Sequence, residues 1–179
     1  MVRSMKQSAG FSFIDVLLTL LLLTLSAMNF VSVSNAAAMA TAQHARRVSA
    51  FQLASEFADW FQSGGGHIPL DDLAHMVAGD DDLISAYNCM YQDADSACSA
   101  EDSAKSYIAF WRSRLNERVP GVQVILCRDT RPWNEQAGRW EWSCAEAGTA
   151  STFIKLGWPA DAHESGFPPI LVLEIGVQS

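Results

Sequence analysis

Three sets of residues in this sequence have types and spacings suited to chemistry. The first is the junction Gly10-Phe11, followed by Asp15 and then the apolar run Val16 to Leu25. Hydrolysis of the Gly10–Phe11 peptide bond is the reaction the junction suggests, since glycine obstructs a protease approaching the backbone least. An ordinary secretory signal carries its small-residue cleavage site beyond the apolar run. Here the small residue stands before that run, so cutting would leave the apolar helix on the mature chain with Phe11 at its tip. Asp15 falls about one turn into the hydrophobic segment, where an ionised acid costs roughly 2.5 to 3.5 kcal/mol on insertion scales. Such an acid needs a partner.

The second set is four cysteines, Cys89, Cys98, Cys127 and Cys144, all after the apolar segment. In an oxidising compartment they are expected to pair. Three connectivities are open, and the local one, Cys89 with Cys98 and Cys127 with Cys144, is the expectation. A metal site is not expected: no Cys-x-x-Cys spacing occurs, and His44, His67, His75 and His163 are scattered. The third set is acidic, Asp71-Asp72 and Asp80-Asp81-Asp82. It lacks the oxygen-ligand spacing of an EF-hand loop and reads as a solvated loop. No nucleophile elbow, phosphate loop or zinc-protease motif is present, so neither an enzyme nor a cofactor is expected.

These residues must be positioned by a small number of elements. From Phe11 through Gln43 the only formally charged side chain is Asp15, and Phe11 to Val33 supplies the ~20 apolar residues that a bilayer core requires. Arg3 and Lys6 precede it. The positive-inside tendency then keeps residues 1–10 in the cytoplasm and carries everything after the helix across the membrane. No Gly or Pro interrupts residues 11–63, so one long helix is expected over that whole range. In its second half Gln52, Glu56, Asp59 and Ser63 recur at helical spacing opposite Phe51, Leu53, Ala54, Phe57, Ala58 and Phe61, and Gly64-Gly65-Gly66 provides the stop.

Residues 64–179 suffice for one further domain. They carry 17 Asp and Glu against 8 Lys and Arg, a balance that disfavours a phosphate-binding surface, so no nucleic-acid partner is expected. Loops and short helical turns are expected up to Cys98. Ser99-Ala100-Glu101-Asp102 then forms a candidate capping box, and Ile108, Trp111, Leu115 and Val119 recur at helical spacing up to Pro120-Gly121. Four strands follow, Gly121 to Asp129, Arg139 to Ala145, Thr152 to Trp158 and Ile170 to Val177. An antiparallel four-stranded sheet with the amphipathic helix laid across it makes the expected fold α+β. Trp140 and Trp142, two apart, should share one sheet face and pack in the core, whereas Trp133 in a polar turn is the candidate for an exposed contact.

The short basic leader, Gly10, Phe11 and the acid at Asp15 together resemble the class III signal of type IV pilins and the type II secretion pseudopilins. That resemblance covers about thirty residues, and the family usually has glutamate where this chain has Asp15. It implies that a prepilin peptidase in the inner membrane removes residues 1–10 and methylates the new N-terminus at Phe11. It also gives Asp15 its partner, the positively charged N-terminus of a neighbouring subunit. Trp111, Leu115, Val119-Pro120-Gly121, Cys127 and Phe153-Ile154-Lys155-Leu156-Gly157-Trp158 further resemble the PilV-type minor pilins. The resemblance implies a single-pass inner-membrane precursor with a periplasmic domain, later installed among major and minor pilin subunits in a type IV pilus at the cell surface. A type II secretion pseudopilin shares the signal and helix. A membrane-anchored periplasmic enzyme or sugar-binding module is the alternative from a different class.

Overall fold

The computed structural model describes residues 13–64, 68–79, 99–145, 150–160 and 166–176. Helix α1, Phe13–Ser63, has the uninterrupted length expected from a stretch without Gly or Pro. The chain divides into two compact units, one ending at His44 and one beginning at Ala45. The first unit is helical throughout its described part, and its apolar side chains, among them Leu17, Leu21, Leu25, Phe30 and Val33, are exposed.

The second unit is an α+β domain. The last turns of α1 bury Ala50, Leu53, Ala54, Phe57, Ala58 and Phe61, a stripe at helical spacing. Phe51 is 53% exposed, which corrects the expectation that placed it on the apolar face. At 100° per residue it stands one step off the stripe that Ala50 and Leu53 define. Helix α2, Leu70–Ala78, starts after Pro69 with Asp71 and Asp72 in its first turn, where the helix dipole favours acids, and stops at Gly79 with φ 89°. It buries Leu73, Met76 and Val77. Helix α3, Ala100–Arg118, is capped as the sequence suggests: Ser99 Oγ accepts the Asp102 N–H at 3.0 Å. Ile108, Trp111, Leu115 and, just past the helix, Val119 are all buried.

Trp111 ties the two long elements together. Its ring lies 4.9 Å from that of Phe57, and its indole N–H donates to the Leu53 carbonyl at 2.7 Å. Alongside, Trp60 stacks on Tyr107 at 4.5 Å, and Arg114 pairs with Glu56 at 2.7 Å. Burial, with the nearby Glu56 carboxylate, pushes the Tyr107 phenol well above its ordinary range, so it stays a neutral donor, here to the Glu56 carbonyl at 3.3 Å.

The strands are β1 Gln123–Asp129, β2 Trp133–Asn134, β3 Arg139–Trp140, β4 Ser151–Gly157 and β5 Leu171–Gly176. Among the described residues the main sheet has three antiparallel strands in the order β1-β4-β5, not four, and β2 and β3 form a separate two-residue ribbon. The expected second strand therefore splits. Arg139 and Trp140 join the ribbon, while 141–145 adopts no ladder. Register explains where that segment goes. Leu126, Ile154 and Leu156 share the sheet face that joins the helical core, whereas Ile125, Cys127, Asp129, Phe153 and Lys155 point the other way. Residues 141–145 cover this second face as a strap. An extended strap alternates side chains as a strand does, which is why Trp140, Trp142 and Cys144 read as a strand.

Candidate functional site: an apolar helix with one acid, a pinned strap and an aromatic ribbon

In the first unit α1 is long and apolar enough to cross a membrane. Hydroxyls along it are compatible with hydrocarbon where they fold back onto their own helix. Thr19 donates to the Val16 carbonyl at 2.9 Å, Thr24 to Leu21 at 2.8 Å, Ser26 to Leu22 at 2.7 Å and Ser32 to Asn29 at 2.9 Å. Donors satisfied in this way avoid the cost of an open polar group in lipid. Asp15 lies in the first turn, exposed, with exposed Phe13, Ile14, Leu17 and Leu18 around it. The N-terminal end of a helix dipole is where a carboxylate is best tolerated. Gly10 and Phe11, the expected processing site, lie outside the described residues, as do Cys89, Cys98 and Asp80 to Asp82.

In the second unit the structure joins Cys127 of β1 to Cys144 of the strap in a disulfide, with Cα atoms 6.2 Å apart. The pairing is the one expected, although Cys144 belongs to the strap and not to a neighbouring strand. A second fastening lies beside it. Lys155, fully buried on β4, donates to Asp129 Oδ2 at 2.6 Å, to the Glu141 carbonyl at 2.9 Å and to the Ser143 carbonyl at 2.7 Å. All three ammonium donors are thus used. Asp129 Oδ1 accepts the backbone N–H of Arg131 at 2.9 Å and of Ala145 at 3.2 Å.

Burial alone would raise the Asp129 pKa. The Lys155 hydrogen bond, the two backbone N–H groups and the Lys155 charge outweigh it and hold the carboxyl below its usual range. With so complete a set of partners the pair acts as a structural pin. The sequence reading missed it. A signal was present: a lysine at the centre of Phe153-Ile154-Lys155-Leu156 must either end a strand or find an anion inside.

Trp142 and Trp140 depart from the expected shared core position. Trp142 crosses the sheet end, donates to the Phe167 carbonyl at 2.7 Å and fills the space over Gly157. Trp140 meets Trp133 across the β2–β3 ribbon, ring centroids 5.0 Å apart and nearly perpendicular. Trp133 is 44% exposed, in accord with its reading as a surface contact. Among the described residues no group of three or more His, Cys, Asp or Glu side chains is placed to hold a metal ion. Compared with family models, curated proteins and solved structures, the chain matches none of them.

Proposed function

We propose that this chain is a minor pilin of the PilV type: an inner-membrane precursor cut between Gly10 and Phe11 by a prepilin peptidase, methylated at Phe11, and assembled with other pilin subunits into a type IV pilus. The observation that carries the proposal is the first part of α1, an apolar surface exposed on every side with one acid in its first turn. An ionised acid in the lipid-facing part of a helix carries a cost on an isolated anchor. A positively charged Phe11 amine of an adjacent subunit offsets part of that expense when helices pack side by side. The α+β domain that begins within α1 supports the same reading, since it supplies a capped, disulfide-fastened body able to select neighbours outside the membrane.

Assembly is then the protein's work, and its partners are the peptidase and other major and minor pilins. The test is to shear surface fibres from cells and probe them for this protein, with the membrane fraction as the comparison. Presence in the fibres, abolished by deletion of the pilus assembly machinery, is the expected result. Retention of all the protein in the membrane as an uncut monomer rejects it. A type II secretion pseudopilin would be found in the fibres of a secretion system instead.

A further inference from the structure

The ribbon and the strap together line an open concavity of about 640 Å³ that no part of the assembly reading uses. Its volume falls inside the ~300 to 1,000 Å³ common for small-molecule sites. Its one large apolar wall is the Trp133 indole, held edge-to-face by Trp140. Such a contact fixes the ring plane without covering both of its faces. The other walls are polar. Asn134 Nδ2 donates to Glu141 Oε1 at 2.5 Å, and the Asn134 Oδ1 accepts the Ala137 N–H at 2.9 Å, so the amide and the carboxylate are held in place. Ser143 Oγ donates to the other Glu141 oxygen at 3.4 Å. Exposed Arg131, Glu135 and Gln136, with Ala145, complete the lining, and among the described residues the Arg131 and Gln136 side chains engage no hydrogen-bond partner.

We propose that this concavity binds a neutral saccharide, stacked through the C–H face of a pyranose ring on Trp133 and hydrogen-bonded through its hydroxyls to Gln136, Glu141 and Arg131. The alternatives fit the walls less well. An aliphatic chain would cover the Arg131 guanidinium and the Gln136 amide without offering them partners, at a cost of roughly 1 to 3 kcal/mol each. An anionic sugar or a phosphate would meet Glu135 and Glu141 against the single cation Arg131. A ring with equatorial hydroxyls has one flat apolar face for the indole and a rim of groups that both donate and accept, which matches a lining of mixed donors and acceptors. The inference stands on the second unit alone and does not depend on pilus assembly.

Its test is saturation-transfer difference NMR on the full chain in a detergent without a sugar headgroup, with cellotriose, chitotriose and maltotriose as probes. Transfer to the ring protons of at least one probe is expected, strongest at the axial protons, with at least a tenfold loss of affinity in Trp133→Ala. Gln136→Ala, a change of an exposed side chain, is expected to weaken the same probe severalfold and decides the matter should Trp133→Ala lose its fold. Transfer to none of the three probes overturns the proposal. So does binding undiminished in a folded Trp133→Ala protein, or in Gln136→Ala where the first variant does not fold.

Discussion

Lys155 and Asp129 are buried between the sheet and the strap of the second unit, and each is tolerable there only because of the other. Removing one partner of a buried ion pair leaves an uncompensated charge, which typically costs about 3 to 5 kcal/mol. Lys155→Met is therefore expected to destabilise the domain by about that amount, read by urea unfolding. The pH dependence follows from the direction of the Asp129 shift. A carboxyl whose folded pKa lies below the unfolded value of ~3.9 contributes stability that is complete well above that value and lost as pH falls through the folded pKa. Urea midpoints should thus decline below about pH 5, and the decline should be shallower in Asp129→Asn. Gly157 makes a second residue-scale prediction. A Cβ there would stand 2.6 Å from Trp142 Cζ2 and 2.9 Å from the Pro168 carbonyl oxygen. Gly157→Ala should cost about 1 to 3 kcal/mol by overpacking, seen as a lowered melting temperature with loss of near-ultraviolet signal from the tryptophans.

Among the elements, those fixed by local chemistry were legible in the sequence and those fixed by distant contacts were not. Helix α3 begins one residue after the Ser99 cap and ends just before Pro120-Gly121, because both stops act within a few residues. The buried stripe of α1 differs from the expected one at its start, where Ala50 is buried in place of Phe51, which is apolar but whose angle carries it off the packed face. The segment after β3 was read as a strand because alternation alone does not separate a strand within a sheet from an extended strap lying across one. What decides between them is Lys155, which takes the Glu141 and Ser143 carbonyls that a ladder would otherwise use. The Cys127–Cys144 bridge closes the same segment over a separation of 17 residues, for which the chain-entropy model gives about 3 kcal/mol. Cys127→Ala/Cys144→Ala should lower the unfolding free energy by about that much in urea titrations.

For the whole molecule, the sequence sets an expected boundary after Ser63, at the end of the long helix, whereas the compact units part between His44 and Ala45, so that the acidic α+β unit takes in the last turns of α1. The strand count and the ion pair came only from folding, because each joins residues far apart in the chain, whereas the concavity beside Trp133 is lined by residues within 131–145 and depends on how the ribbon and the strap fold back on each other. On the proposed reading, Asp15→Ala should still insert in the membrane, and more readily, since it removes the cost of the acid. Incorporation into fibres should nevertheless be lost, which separates an assembly role from an anchoring one in a shear-fraction immunoblot. The central claim is that the helix is trimmed at its front and works beside others of its kind. Mass spectrometry of the protein purified from the cells that make it tests this most directly. The account predicts a chain that starts at Phe11 and carries one N-terminal methyl group, whereas a chain that retains residues 1–10, or is cut beyond the apolar run, contradicts it.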